Sequence, residues 1–137
     1  MAVARAIHVA AAWLLVFGLL VQVFLAGLGV FAHESAFATH RDFGHLLELF
    51  PIVLIVTALV AGYGRSRALA GVGLLAMLFL QTILVLQRGS SDILAALHPV
   101  NGFLVLLGAV LVAWDSTRLW RASRASGAVP TAEVATD

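Results

Sequence analysis

Two short stretches place a glycine four residues after a histidine: His40-Arg41-Asp42-Phe43-Gly44 and His98-Pro99-Val100-Asn101-Gly102. Each opens a long apolar run. Each also follows a glutamine in the preceding run, Gln22 lying 18 residues before His40 and Gln81 lying 17 before His98. Two histidines at equivalent places on paired helices suit one ligand held between them, and two neutral imidazoles on opposite faces are what a b-type haem requires. At 100° per residue, Gly44 and Gly102 are rotated only about 40° from their histidines. The missing side chains would let a macrocycle lie flat against each helix. The competing reading is that both histidines are interfacial residues near helix ends.

Other residues fill out this chemistry. His45 competes with His40 as the ligand of the second run; it is rotated about 140° from His40 and lies roughly 7 Å deeper. Its counterpart in the second motif is Phe103, which argues against a paired role. His45 and Glu48 are three residues apart and share a helix face. A carboxylate inside a membrane should be protonated, paired or beside a wet cavity, so this pair reads either as a proton relay or quinone contact or as a buried tie between helices. Arg41 and Arg88 are placed to fork onto haem propionates, with ordinary interfacial arginine as the alternative. Gln22 and Gln81 read as hydrogen-bond donors to a ligand or as interhelical glue, and Asn101 as a bridge. His8 has no second histidine at its depth, and His33 with Glu34 reads as loop.

These residues must be held by membrane-spanning helices. The chain of 137 residues is one small domain, 62% hydrophobic and only 11% charged, against roughly 25% charged in soluble chains. Its partner is therefore the lipid bilayer. The net charge is +1 and all eight cations are arginines with no nucleic-acid stripe. The absence of cysteine excludes disulfides, thiolate metal sites, iron–sulfur clusters and covalent haem attachment. Apolar runs over about 7–31, 43–63, 69–87 and 99–120 each approach the roughly 20 residues that span hydrocarbon. The first run continues through Gln22 and Gly27-Leu28-Gly29 and is expected to be a retained helix, not a cleaved leader. The fold class is an all-α four-helix transmembrane bundle over residues 1–124, with 125–137 as a disordered cytoplasmic tail.

Six arginines (Arg5, Arg65, Arg67, Arg118, Arg121 and Arg124) flank one side of this bundle, and Arg41 and Arg88 the other. By the positive-inside rule both termini are cytoplasmic and His40 and His98 lie near the outer face. Tyr63, Trp114 and Trp120 fit the inner aromatic belt, and Trp13 reads as packing. Gly62–Ser66 forms an inner turn and Gly89–Asp92 an outer one. Residues 93–97 form either a short interfacial helix or part of a continuous helix kinked at Pro99. At an offset of 59, Leu15, Gln22 and Leu25 map onto Leu74, Gln81 and Leu84; at 58, His40 and Gly44 map onto His98 and Gly102. The chain thus reads as one helix pair used twice.

The stretch Glu34…His40-Arg41-x-x-Gly44, with its second His-x-x-x-Gly at His98–Gly102, resembles one four-helix half of haem A synthase. It is also similar to small bacterial four-helix membrane proteins. The resemblance implies paired histidine ligands at the outer ends of the second and fourth helices, places held here by His40 and His98. The expectation is a bacterial inner-membrane protein with bis-histidine haem b, acting in electron transfer. Its expected partners are a quinone or a larger redox complex, and its state is compatible with a homo-oligomer. The rival reading is a cofactor-free structural or transport protein, in which Gly18, Gly27, Gly29, Gly71 and Gly73 serve close helix packing.

Overall fold

The computed structural model describes residues 1–126, and every regular element among them is an α-helix: α1 (Ala2–Phe31), α2 (Ala36–Leu47), α3 (Leu49–Val60), α4 (Arg65–Val85) and α5 (Asp92–Ser126). Because α2 and α3 are two segments of one span, the described residues hold four helices long and apolar enough to cross a membrane. The spans run further than the apolar runs alone suggest. The second begins at Ala36, not at 43, so His40 stands inside a helix and not at its entrance. The fourth is continuous from Asp92 through Pro99, which selects a continuous helix over a separate interfacial one. It also carries residues 125 and 126, which the sequence reading assigned to the tail; the rest of that tail lies outside the described residues.

Packing is inverted relative to a soluble bundle. Large apolar side chains such as Phe17, Phe24, Leu59, Phe103 and Leu111 are exposed around the outside, where lipid would cover them. Small residues line the helix contacts: Ala12, Ala58, Ala61, Ala109 and Ala113 are all within 1% of full burial, which brings backbones close enough for dispersion contacts to hold the bundle. Leu47 presses into the notch of Gly18, the Phe37 ring into that of Gly29, and Ile55 into that of Gly71. Nothing approaches Gly27 or Gly73, so these two are not packing glycines.

Around the bundle, α1 neighbours α5 and the second span, and α4 neighbours α3 and α5. The second and fourth spans are therefore diagonal. The break at Glu48 has a local cause, since Pro51 carries no N–H to bond the Leu47 carbonyl four residues back. Beyond the break, α2 stays against α1 but makes no close backbone approach to α4 or α5. A groove is left there.

Candidate functional site

His40 and His98 meet across the diagonal of the bundle. Their ring centroids are 6.2 Å apart, with planes inclined by 66°. His40 Nδ1 lies 3.1 Å from the Gln22 carbonyl oxygen, and His98 Nδ1 lies 3.0 Å from that of Gln81. A carbonyl only accepts, so both Nδ1 atoms carry the proton and donate. Each neutral ring then keeps its lone pair on Nε2, the state a metal-binding imidazole needs, with the second ring nitrogen held by a backbone acceptor. Two metal–nitrogen bonds of about 2.0 Å, added to the half-widths of two rings, put the centroids of a bis-imidazole pair roughly 6 Å apart. The observed spacing fits that pair.

The glutamine side chains do something the sequence did not suggest. A Cβ on Gly44 would meet Gln22 Nε2 at 2.6 Å, and one on Gly102 would meet Gln81 Nε2 at 3.0 Å. The flat surfaces expected beside the two histidines are thus occupied by amide ends, which are flexible. The two halves differ in one respect: Asn101 Nδ2 donates to Gln81 Oε1 and to the Met77 carbonyl, both at 2.9 Å, whereas the equivalent position in the first half is Phe43. Gln22 Oε1 is buried and has no partner.

His45 is excluded from this meeting. Its side chain is 53% exposed and its Nδ1 lies 3.4 Å from Glu48 Oε1, a long contact by hydrogen-bond standards. The pair lines the groove left by the break, a space of about 440 Å³ walled by Phe79, Thr82 and Ile83 of α4. Arg41 is exposed and its Nε donates to the neighbouring Asp42 Oδ1 at 3.0 Å; Arg88 is exposed in the turn after α4, and His33 and Glu34 are exposed in the turn before α2.

The opposite end of the bundle holds a cluster that sequence reasoning missed. His8, only 1% exposed, contacts Thr57 Oγ1 through Nδ1 at 2.8 Å and meets the Tyr63 ring edge-on at 5.2 Å. Tyr63 is buried within the bundle, under the Arg5 guanidinium, and so is not a lipid-facing belt residue. Its phenol oxygen has no partner among the described residues, and burial pushes its ionisation above the usual tyrosine range. Arg67 Nε donates to Asp115 Oδ2 at 2.9 Å and Arg67 Nη1 to the Tyr63 carbonyl at 3.1 Å. Trp13 reaches across to Thr117 Oγ1 at 3.0 Å. The signal in the sequence is a set of polar residues, His8, Thr57 and Asp115, near the arginine-rich ends of three of the four apolar runs.

Residues 22–88 match a family model described as a family of unknown function, DUF6220. The chain is similar to that family over just under half its length. The matched stretch contains Gln22, His40, Gly44 and Gln81 and stops short of His98 and Gly102. Curated proteins and solved structures gave no match.

Proposed function

We propose that the chain is an integral membrane b-type haem protein in which His40 and His98 would hold the iron. One observation carries the reading. Both rings commit their Nδ1 hydrogens to backbone carbonyls, which leaves a lone pair on each Nε2, and their centroids stand 6.2 Å apart, close to the spacing of a bis-imidazole pair. Gly44 and Gly102 leave no side chain of their own beside each ligand, and the amide ends of Gln22 and Gln81 supply polar contacts there. Arg41 and Arg88, exposed at that end, suit propionates. Haem supplies a one-electron iron couple, and two protein ligands leave no open position for substrate. Electron transfer is therefore the work proposed, with a quinone or a larger redox complex as partner, rather than stand-alone catalysis.

The same reading holds the chain to be one helix pair used twice, since each half repeats the carbonyl-to-histidine bond and the glutamine-on-glycine contact. Six of the eight arginines flank the ends bearing the termini, which supports cytoplasmic termini and a haem near the outer face of a bacterial inner membrane.

Protein purified in mild detergent from haem-replete cells should show a Soret band and, after dithionite, the sharp α and β bands of low-spin haem. His40→Ala and His98→Ala should each abolish that spectrum or convert it to high spin. His33→Ala and His8→Ala should leave it unchanged. Loss on His45→Ala with retention in His40→Ala would move the second-span ligand to His45. Colourless protein that is spectrally silent on adding haemin overturns the reading. It would favour a cofactor-free structural or transport role, the reading that the glutamine amides already seated over Gly44 and Gly102 would support.

A further inference from the structure

At the end of the bundle bearing both termini, a cavity of about 290 Å³ is lined by His8 of α1, Ser66, Arg67 and Ala70 of α4, and Leu111, Val112, Asp115 and Ser116 of α5. The hydrogen bonds around it fix what it offers. The Thr57 hydroxyl has one proton, and that proton goes to backbone carbonyls, Val53 at 2.6 Å and Leu54 at 3.3 Å. The 2.8 Å contact with His8 must then be Nδ1–H donating to Thr57 Oγ1. Neutral His8 is left with a bare lone pair on Nε2, on the ring edge turned from Thr57 of α3.

A second wall repeats the pattern. Ser116 Oγ gives its proton to the Val112 carbonyl at 2.6 Å and keeps only lone pairs. Arg67, the cation in the wall, is already engaged with Asp115 and the Tyr63 carbonyl. Thus two buried acceptors, His8 and Ser116, 1% and 3% exposed, share the cavity with Ser66 and with an Arg67–Asp115 ion pair whose charges offset each other. The complementary guest is neutral and donates O–H. Leu111, 60% exposed, carries the rim out to the lipid-facing surface, so the guest can arrive through the membrane. The volume is at the small end of ligand pockets, which run from about 300 to 1,000 Å³, and suits a head of one ring.

We propose that this cavity binds the hydroxyl-bearing head of a membrane-dissolved quinol, its O–H groups donating to His8 Nε2 and Ser116 Oγ and its tail leaving past Leu111. A quinone, which presents only carbonyl acceptors, could take hydrogen bonds from Arg67 or Ser66 but none from His8 Nε2 or Ser116 Oγ, and would bind less well. The inference assigns a position to the quinone partner of the preceding section, and it does not depend on haem at the other end.

The test uses the full chain in lipid nanodiscs with ¹⁵N-labelled histidine, titrated with reduced and with oxidised decylubiquinone. The His8 Nε2 resonance should move with the reduced form, at a concentration about fivefold or more below that needed by the oxidised form, the selectivity of one to two net hydrogen bonds. His8→Phe should remove the preference for the reduced form. Leu111→Trp, at an exposed position where folding is not at stake, should weaken binding of the reduced probe by a similar factor. His45→Phe should leave binding intact. Equal affinity for the two redox forms overturns the proposal, as does a His8 resonance unmoved at saturation. Loss of binding in His45→Phe with no effect of Leu111→Trp would assign the quinol to the groove beside Glu48 instead. A resonance that responds to pH but to neither probe would make the cavity a water-filled proton site. The haem spectrum is read on the same samples, so failure here is distinguishable from failure of the haem reading.

Discussion

Gln22 and Gln81 act on the histidines through their carbonyls and on the glycines through their amides, and only the second role depends on side-chain identity. Gln22→Ala and Gln81→Ala should therefore retain a low-spin spectrum, because the backbone acceptor that orients each imidazole survives; conversion to high spin would show that the amides hold the site together. Asn101 differs, since its two donated bonds join α5 to α4. Asn101→Leu should lower stability by about 0.6–1.7 kcal/mol, the range for interhelical hydrogen bonds in membranes, as read from unfolding in mixed detergent. Tyr63 reverses the sign. Its buried phenol oxygen is unpartnered, so Tyr63→Phe should cost nothing and gain up to about 1 kcal/mol. Burial holds its folded-state ionisation above the ordinary value of 10.0. Above that pH the unfolded chain releases its proton while the native chain retains it, so native stability falls as pH rises. Tyr63→Phe should remove that alkaline loss. The motif spacing made the histidine pair legible in sequence; the role of a backbone carbonyl was not, because every residue carries one.

At the scale of elements, hydropathy marked where hydrocarbon begins and not where helices begin. The first turn of α2 carries Thr39 and His40 and precedes the unbroken apolar run, yet its helix is continuous with the rest of the element. For the same reason α5 extends through Arg118, Arg121 and Arg124. The break at Glu48 was written in Pro51, although its consequence, a groove between α2 and α4, depended on α2 following α1 and leaving α4. Glycines show the same division. A methyl group at Gly18 would stand 2.5 Å from Leu47 Cδ2, in a core where Leu47 is only 1% exposed. Gly18→Ala should destabilise the bundle by about 1–3 kcal/mol through overpacking. Gly27→Ala and Gly73→Ala, with open space before them, should be neutral or slightly stabilising through helix propensity. Equal effects at all three positions would mean that the α1–α2 contact is looser than this packing requires.

Over the whole molecule, the apolar exterior and the arginine count divide the work of placing the chain. Large exposed side chains such as Phe17, Phe24 and Phe103 leave lipid as the surrounding medium, and this was legible from composition alone. The His8 cluster was not, because it forms only where side chains from α1, α3, α4 and α5 and the Tyr63 turn converge at one depth, a convergence that no spacing along a single run encodes. Direction across the membrane rests on charge. Arg5, Arg65, Arg67, Arg118, Arg121 and Arg124 flank one face and Arg41 and Arg88 the other, the bias on which the proposal of cytoplasmic termini rests. The chain has no cysteine, so each introduced thiol reports alone. Ser66→Cys and Ser123→Cys should resist a membrane-impermeant maleimide in intact cells and react after permeabilisation, whereas Ser90→Cys should react in both. Labelling of Ser66→Cys and Ser123→Cys in intact cells, with Ser90→Cys protected, would invert the chain. His40 and His98 would then face the cytoplasm, and any electron they carry would be exchanged with partners on that side.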